Sequence, residues 1–379
     1  MSATATRKTL AVLVLIPVVA ALALWAFAWP AARIAPRDLP VGVAGPATAT
    51  ASLEQRLTEG GGAFEVHRYD SEAAARAAIG DRAVYGAVIV TPRGPELLTA
   101  SAASPLVAGL LREAVSAQAP AGTPMKVTDV VPAPAGDPRG SAFGASLFPL
   151  ILAGAASGAV VTLLGLRRTR VALALAGAAA LAGIVGAALG HSWLGALTGD
   201  WWTEAGVLAL TVLAIGAALA GLAALLGRAG LGLGALLMIL LGNPFSGVAS
   251  APELLPAPVG ALGQWLPPGA GGSALRSVAF FDGGGAAAPL LVLGVWAVAG
   301  LAALLLGGRR GRTGGHDGAG ACGRRLTPLT YGRVPPPWWT GARGFLMRRW
   351  HPGRGGGPRC RSGSVHRERT RGCGGRRRS

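Results

Sequence analysis

Apolar residues fall into two patterns along this chain. The first is the long unbroken run, which begins at residues 9–29. About 20 residues of helix cross a hydrocarbon core, so this run predicts a membrane helix. Five further runs follow at residues 142–166, 171–189, 205–226, 229–241 and 286–306. The fifth of the six is short, with about 13 clean apolar residues before Asn243-Pro244 against the roughly 20 of a full span. It crosses only if its helix continues past that break, toward Ala249. The first run has Arg7 and Lys8 ahead of it and Trp25 and Trp29 near its end. It is longer than the apolar core of a cleavable signal, so it reads as an uncleaved anchor.

The second pattern lies between the first two runs, at residues 31–141. Here apolar and polar residues alternate in short stretches. LPVGVAG (39–45), FEVHRYD (64–70) and VYGAVIV (84–90) read as strands, with PELLTAS (95–101) a further candidate. SLEQRLTEG (52–60), SEAAARAAIGD (71–81) and PLVAGLLREAVSAQA (105–119) read as helices, the second capped by Ser71 or Asp70. The β-α-β-α-β order predicts a small α/β domain with a partly parallel sheet. Pro132, Pro134 and Pro138 mark a linker to the next span.

Composition agrees with a membrane protein. The chain is 51% hydrophobic and 14% charged, where a soluble domain carries about 25% charged residues. The net charge of +18 is unevenly spread: 18 arginines and two acids lie from Gly308 onward, and the rest is nearly neutral. The expected fold is therefore a mainly α-helical integral membrane protein. It has six transmembrane helices, an α/β domain between the first and second, and a disordered tail at 308–379 rich in Arg and Gly. Membrane lipid is the partner that composition requires, and nucleic acid is not an expected one.

Charge placement sets the expected topology. With the N-terminus cytoplasmic, the sites Arg7/Lys8, Arg167/Arg168/Arg170, Arg228 and Arg309/Arg310/Arg312 all fall inside. The opposite connections carry Asp200, Glu204, Glu253 and Asp282, with Arg276 their only base. Both termini are then cytoplasmic and residues 31–141 lie outside the cell membrane. A five-span alternative would move the Arg-rich tail outside, which the same rule disfavours.

The tail has three readings: a solvated segment touching anionic lipid, a nucleic-acid binder acting through arginines and aromatics, or a frameshifted sequence. Up to residue 308 the chain holds only two lysines and one asparagine. That bias suits GC-rich coding DNA, whose shifted frame yields Arg, Gly, Pro and Trp.

Catalytic signatures are missing from the sequence. No GxxxxGK[ST], HExxH, GxSxG or SxxK pattern occurs. The three cysteines, Cys322, Cys360 and Cys373, lie in the tail without metal-ligand spacing. The expectation is a protein that is not an enzyme, with no metal and no cofactor. His191, beside Trp193, reads as an interfacial residue rather than a ligand. The spans lack the mid-membrane ionisable groups of a proton-coupled transporter.

One layout fits these parts. Its marks are LPVGVAGP (39–46), YDSEAAARAAI (69–79), VYGAVIV (84–90), DPRGSAFGASLFPLI (137–151), GNPFSG (242–247) and LPPGAGGSALRSVAFF (266–281). Over residues 5–307 the chain resembles the membrane (permease) subunit of type-2 ABC exporters, in the actinobacterial branch related to the phage infection protein. The resemblance implies export of a hydrophobic or envelope-related substrate, powered by a separate nucleotide-binding ATPase subunit, in a homodimeric permease. It also implies an outer re-entrant segment at 242–285, with a short helix at 273–281 started by Pro267 and Pro268 and N-capped by Ser273. The inner loop RRTR (Arg167, Arg168, Arg170) would be the ATPase-coupling element.

That loop is short for such a role. Its shortness favours a second reading, a non-transporting membrane protein whose outer domain binds an envelope component, a secreted partner or a phage. Candidate gate positions are Asn243, Pro244, Phe245, Ser246, Pro267, Pro268 and Arg276. The plainer alternative is that Asn243-Pro244 ends a helix, Pro267-Pro268 starts one, and Arg276 snorkels to headgroups.

Overall fold

The computed structural model describes residues 3–58, 61–92, 94–118, 125–165 and 168–307. Arg167 and the tail from residue 308, with its three cysteines, lie outside them. Helix α1 (Ala3–Ala31) opens the chain and contains the apolar stretch Thr9–Ala31. Residues 39–129 then build the sheet domain. In chain order this comprises β1 (Leu39–Ala44), α2 (Ala47–Thr58), β2 (Phe64–Tyr69), α3 (Glu72–Gly80), β3 (Gly86–Thr91), β4 (Gly94–Thr99), α4 (Pro105–Gln118) and β5 (Lys126–Asp129).

The strand order is β2-β1-β3-β4-β5, antiparallel only between β3 and β4. Register places Val41 opposite Val66, Val43 opposite Val88, and Val88 opposite Leu97. Helix α3 begins where its sequence directs: the Ser71 hydroxyl accepts the Ala74 N–H at 3.1 Å, and Arg76 pairs with Glu72 one turn away at 2.7 Å. Strand β5 escaped the alternation pattern because it has only four residues, KVTD. It is held at the edge by Lys126 bonding Glu96 on β4 at 2.9 Å. Helix α2 starts at Ala47, five residues before the expected Ser52.

The remaining chain forms the helical bundle. Its long members are α5 (Ser141–Leu163), α6 (Arg168–Ala187, running on through a π-helical turn to Trp193), α7 (Trp201–Leu226) and α11 (Ala287–Leu306). With α1, these make five helices long and apolar enough to cross a membrane. The fifth run of the sequence reading forms α8 (Arg228–Ala235) and a π-helical continuation, Leu236–Gly242. At 1.5 Å per residue its 15 residues reach about 22 Å, short of a hydrocarbon core of about 30 Å.

Helix α7 is the axis of the bundle and is buried along most of its length. Close approach rests on glycine. A Cβ at Gly158 of α5 would lie 2.6 Å from the Gly216 carbonyl oxygen, and one at Gly221 would lie 2.6 Å from that of Gly300 on α11. Such contacts replace hydrophobic driving force with van der Waals packing, which is how helices associate in lipid. In contrast, α1 presents Leu10, Leu13, Leu15, Ile16 and Leu24 outward, and among its described residues only Ala26 and Pro30 near its end are buried.

The two ends of the bundle differ. Exposed Trp25, Trp193, Trp202 and Trp265 lie at helix termini next to the sheet domain. Arg7, Arg170 and Arg228, all exposed, mark the opposite end.

Between α8 and α11 the chain stays at the domain end. It makes 3-10 turns at Pro244–Ser246 and Pro252–Leu254, then α9 (Val259–Gln264) and α10 (Pro267–Phe280). Helix α10 differs from the expected 273–281 helix. It starts at Pro267, because a proline tolerates the first turn, where its missing N–H would be unpaired anyway. Ser273 is therefore mid-helix and caps nothing. Its hydroxyl donates to Gln264 Oε1 at 2.6 Å.

This segment also completes the sheet domain. Ala251 and Leu254 join the core on one face of the sheet with Leu39, Val41, Leu97 and Leu111. Phe281 joins the core on the other face with Ala75, Ile79, Ile89 and Leu98. Domain and segment share cores, so neither is closed without the other.

Candidate functional site

Asn243–Ser246 lie 21 to 33 positions before Pro267, Pro268 and Arg276 in sequence and meet them, or the loop beside them, in space. Phe245 and Ser246 are buried, with Asn243 and Pro244 half-buried. A Cβ at Gly242 would touch Pro268 Cγ at 2.7 Å, and one at Gly263 of α9 would collide with the Phe245 carbonyl oxygen. The Ser246 carbonyl accepts the Gln264 amide at 2.8 Å. GNPFSG is thus wedged against α9 and the start of α10, with Phe245 and Ser246 covered by protein. Pro267 and Pro268 are buried in that wedge.

Arg276 does not snorkel. It is 6% exposed, its Nη2 donates to the Val248 carbonyl at 2.7 Å, and its guanidinium stacks over Phe143 of α5 at 4.7 Å. It ties α10 to the loop after GNPFSG and to the first turn of α5. Burial of an arginine is sustained by such carbonyl and ring contacts. A cavity of about 260 Å³ lies beside this knot, lined by Phe27 and Pro30 of α1, Phe148 of α5, and Asn243, Pro244 and Ser246.

The expected coupling residues sit elsewhere. Arg168 is the first residue of α6 and Arg170 is exposed in its first turn, at the end opposite the sheet domain.

A larger cavity, about 430 Å³, lies where the sheet domain meets the segment after GNPFSG. Arg82, Tyr85, Glu253, Gln264 and Ser273 line it, with Asp38 and Arg37. Arg82 follows α3 and donates through Nη1 to the Ser273 carbonyl at 2.8 Å and the Ser277 hydroxyl at 2.6 Å. Tyr85 donates to Glu253 Oε2 at 2.7 Å. Burial, and next the nearby Glu253 carboxylate, push the Tyr85 phenol far above its usual range, so it stays a neutral donor. Burial pulls the Arg82 guanidinium down from its ordinary value, with Tyr85 and Glu253 opposing.

Arg37 has its guanidinium committed to carbonyls of Arg33, Ala35 and Leu254 at 2.9–3.0 Å. Asp38 and Arg82 are two of the three described non-glycine residues with positive φ, at 49° and 58°. Such backbone conformations are unfavourable for side-chain-bearing residues and persist only where surrounding packing imposes them.

Sequence reading missed Arg82, Tyr85 and Glu253 because Glu253 lies 168 residues beyond Tyr85 and only the fold brings them together. One signal was present: Glu253 is the only acid between Glu204 and Asp282, in an otherwise apolar, proline-rich stretch. His191, expected at the interface, also has a partner that its sequence position did not reveal. Its Nδ1 lies 2.9 Å from Oε2 of fully buried Glu204, whose Oε1 accepts the Gly199 N–H at 2.8 Å. The pair fastens the end of α6 to the start of α7. Among the described residues no cluster of metal-ligating side chains occurs. No protein-family model matches the chain, and neither a curated protein nor a solved structure matches it.

Proposed function

We propose that this chain is the permease-like membrane subunit of an ABC exporter, moving a hydrophobic or envelope-related substrate outward with a separate ATPase subunit. The observation that carries the proposal is the partly buried break at Asn243–Ser246, where the π-helical run gives way to a 3-10 turn packed against α9 and α10. Broken backbone at membrane depth is tolerated only where protein covers it or it lines a water-filled cavity. In this reading the 15-residue helix and the break together form a sixth crossing, and residues 242–285 form the outer gate.

The tryptophan girdle beside the sheet domain and the arginines at the far end support an orientation with the domain outside and the N-terminus in the cytoplasm. The start of α6, at Arg168 and Arg170, then lies on the ATPase side. The lipid-like surface of α1 leaves room for a second copy in a homodimer.

The test is copurification in mild detergent. A nucleotide-binding subunit should accompany the chain and hydrolyse ATP faster in its presence. Failure of any ATPase to associate would sink the proposal. A second reading, a non-transporting protein whose outer domain binds an envelope component, a secreted partner or a phage, draws support from the α5–α6 connection. Helix α5 ends at Leu163 and α6 begins at Arg168, which leaves no length for a coupling helix. Under that reading no ATPase copurifies, and the same experiment separates the two.

A further inference from the structure

The 430 Å³ cavity holds two opposite charges that are not in direct contact with one another. Arg82 is drawn to one side by Ser273 and Ser277, and Glu253 to the other by Tyr85. Among the described residues the two form no ion pair. Arg82 keeps Nε and Nη2, and Glu253 keeps Oε1, without a hydrogen-bond partner among the described residues. None of these three atoms is sealed from accessible space, since among the described residues the only unpartnered buried side-chain atoms are Thr99 Oγ1 and Arg276 Nε. A half-buried charge with spare hydrogen-bonding capacity favours a charged ligand group, and here one cation and one anion line the same space.

The other walls add a direction. Val84, Leu255, Pro258 and Pro289 are apolar, and Ala261 and Gln264 on α9 form part of the lining. On the same helix Leu262 is exposed, and Trp265 just after it belongs to the tryptophan girdle. The cavity is therefore beside the level at which headgroups would lie. Its size is within the range of small-molecule sites, roughly 300–1,000 Å³.

We propose that this cavity binds a zwitterionic headgroup, with the ligand's ammonium on Glu253 and its anionic group on Arg82. A phospholipid bearing an amine and a soluble zwitterion share that chemistry. The inference concerns binding and is independent of whether the chain transports anything.

The experiment uses the full chain in mild detergent, with bound lipid measured by native mass spectrometry. Phosphatidylethanolamine should bind at least about tenfold more tightly than phosphatidylglycerol, which lacks the ammonium, the scale set by one charge-assisted hydrogen bond. Glu253→Gln keeps an acceptor for Tyr85 and removes the charge, and should erase that preference. Ala261→Phe adds bulk at an exposed lining position, away from both charges, and should weaken binding of phosphatidylethanolamine.

Free phosphoethanolamine distinguishes the sources. If it competes and depends on Glu253, the headgroup alone is recognised. If it does not compete while the lipid binds, the chain of the lipid is part of the ligand. Equal retention of both lipids, or binding unchanged in both variants, overturns the proposal. A melting temperature measured on each variant separates a lost site from a lost fold.

Discussion

Helices α1 and α10 make an instructive pair. The first is among the most apolar helices in the chain, yet its side chains are largely exposed over the stretch Thr9–Ala31. The second is short, starts Pro-Pro-Gly, carries an arginine and two serines, and is buried at every position from Pro267 to Ala279. Hydropathy therefore does not measure burial in this molecule. The exposed apolar surface of α1 suits a lipid surround, where a helix satisfies its backbone bonds within itself. Helix α10 is surrounded by protein, so it needs small residues for close approach and can hold polar groups that find protein partners.

Substitutions that add volume or remove a partner should sharpen that contrast. The largest effect is expected for Gly269→Val in α10, where a Cβ would collide with the Gly263 carbonyl oxygen. Backbone cannot yield as a flexible side chain can, so a loss of about 3 kcal/mol is expected, at the upper end of overpacking costs. It would be read as a collapse in monodisperse yield on size-exclusion chromatography. A normal elution profile would show that α10 is less tightly held than its geometry implies.

Arg276→Met comes next. It conserves much of the volume but leaves the Val248 carbonyl without its donor. A destabilisation of about 1–3 kcal/mol follows from one buried polar group left unsatisfied, read as a lowered melting temperature. Were Arg276 only a snorkelling surface residue, the substitution would change nothing.

A pH effect should arise at Tyr85, outside the spans. Its pKa is raised in the folded state by burial and by Glu253. The unfolded phenol ionises near pH 10, so the stabilisation is complete below about that pH and declines as pH rises above it. The melting temperature of the wild type should fall more steeply above that point than that of Tyr85→Phe. Parallel curves would mean that the phenol is not held in its neutral form.

The smallest change is expected for Leu15→Ala in α1, whose side chain is 61% exposed. Its effect on melting temperature in detergent should correspond to less than about 0.5 kcal/mol, as for exposed positions generally. A large loss would mean that α1 is covered by another chain, and would end the comparison as drawn.

Much of the architecture was legible because local pattern carries it. Strands β1 to β3, the Ser71 cap and the five long helices each announce themselves within a window of one element. Misses came where the deciding contact was distant. Strand β5 is too short and polar to show a period. Ser273 has cap chemistry, but Pro267 starts the helix six residues earlier and leaves the serine to bond Gln264. The candidate gate residues stood out as breaks in the apolar pattern, and their mutual contacts could not be read from their spacing.

What the amino-acid sequence determined by itself is the list of elements, the membrane-grade helices among them, and the asymmetry of arginine and tryptophan along the chain. Hydrophobic period and charge are local quantities, and they act before the chain has a shape. Tertiary structure alone decided that residues 251–254 and Phe281 complete the sheet domain, that Arg276 is buried, and that Arg82 and Glu253 share one cavity unpaired. Those outcomes depend on which surfaces remain to be covered once the helices and sheet have formed, and no window of sequence contains that information.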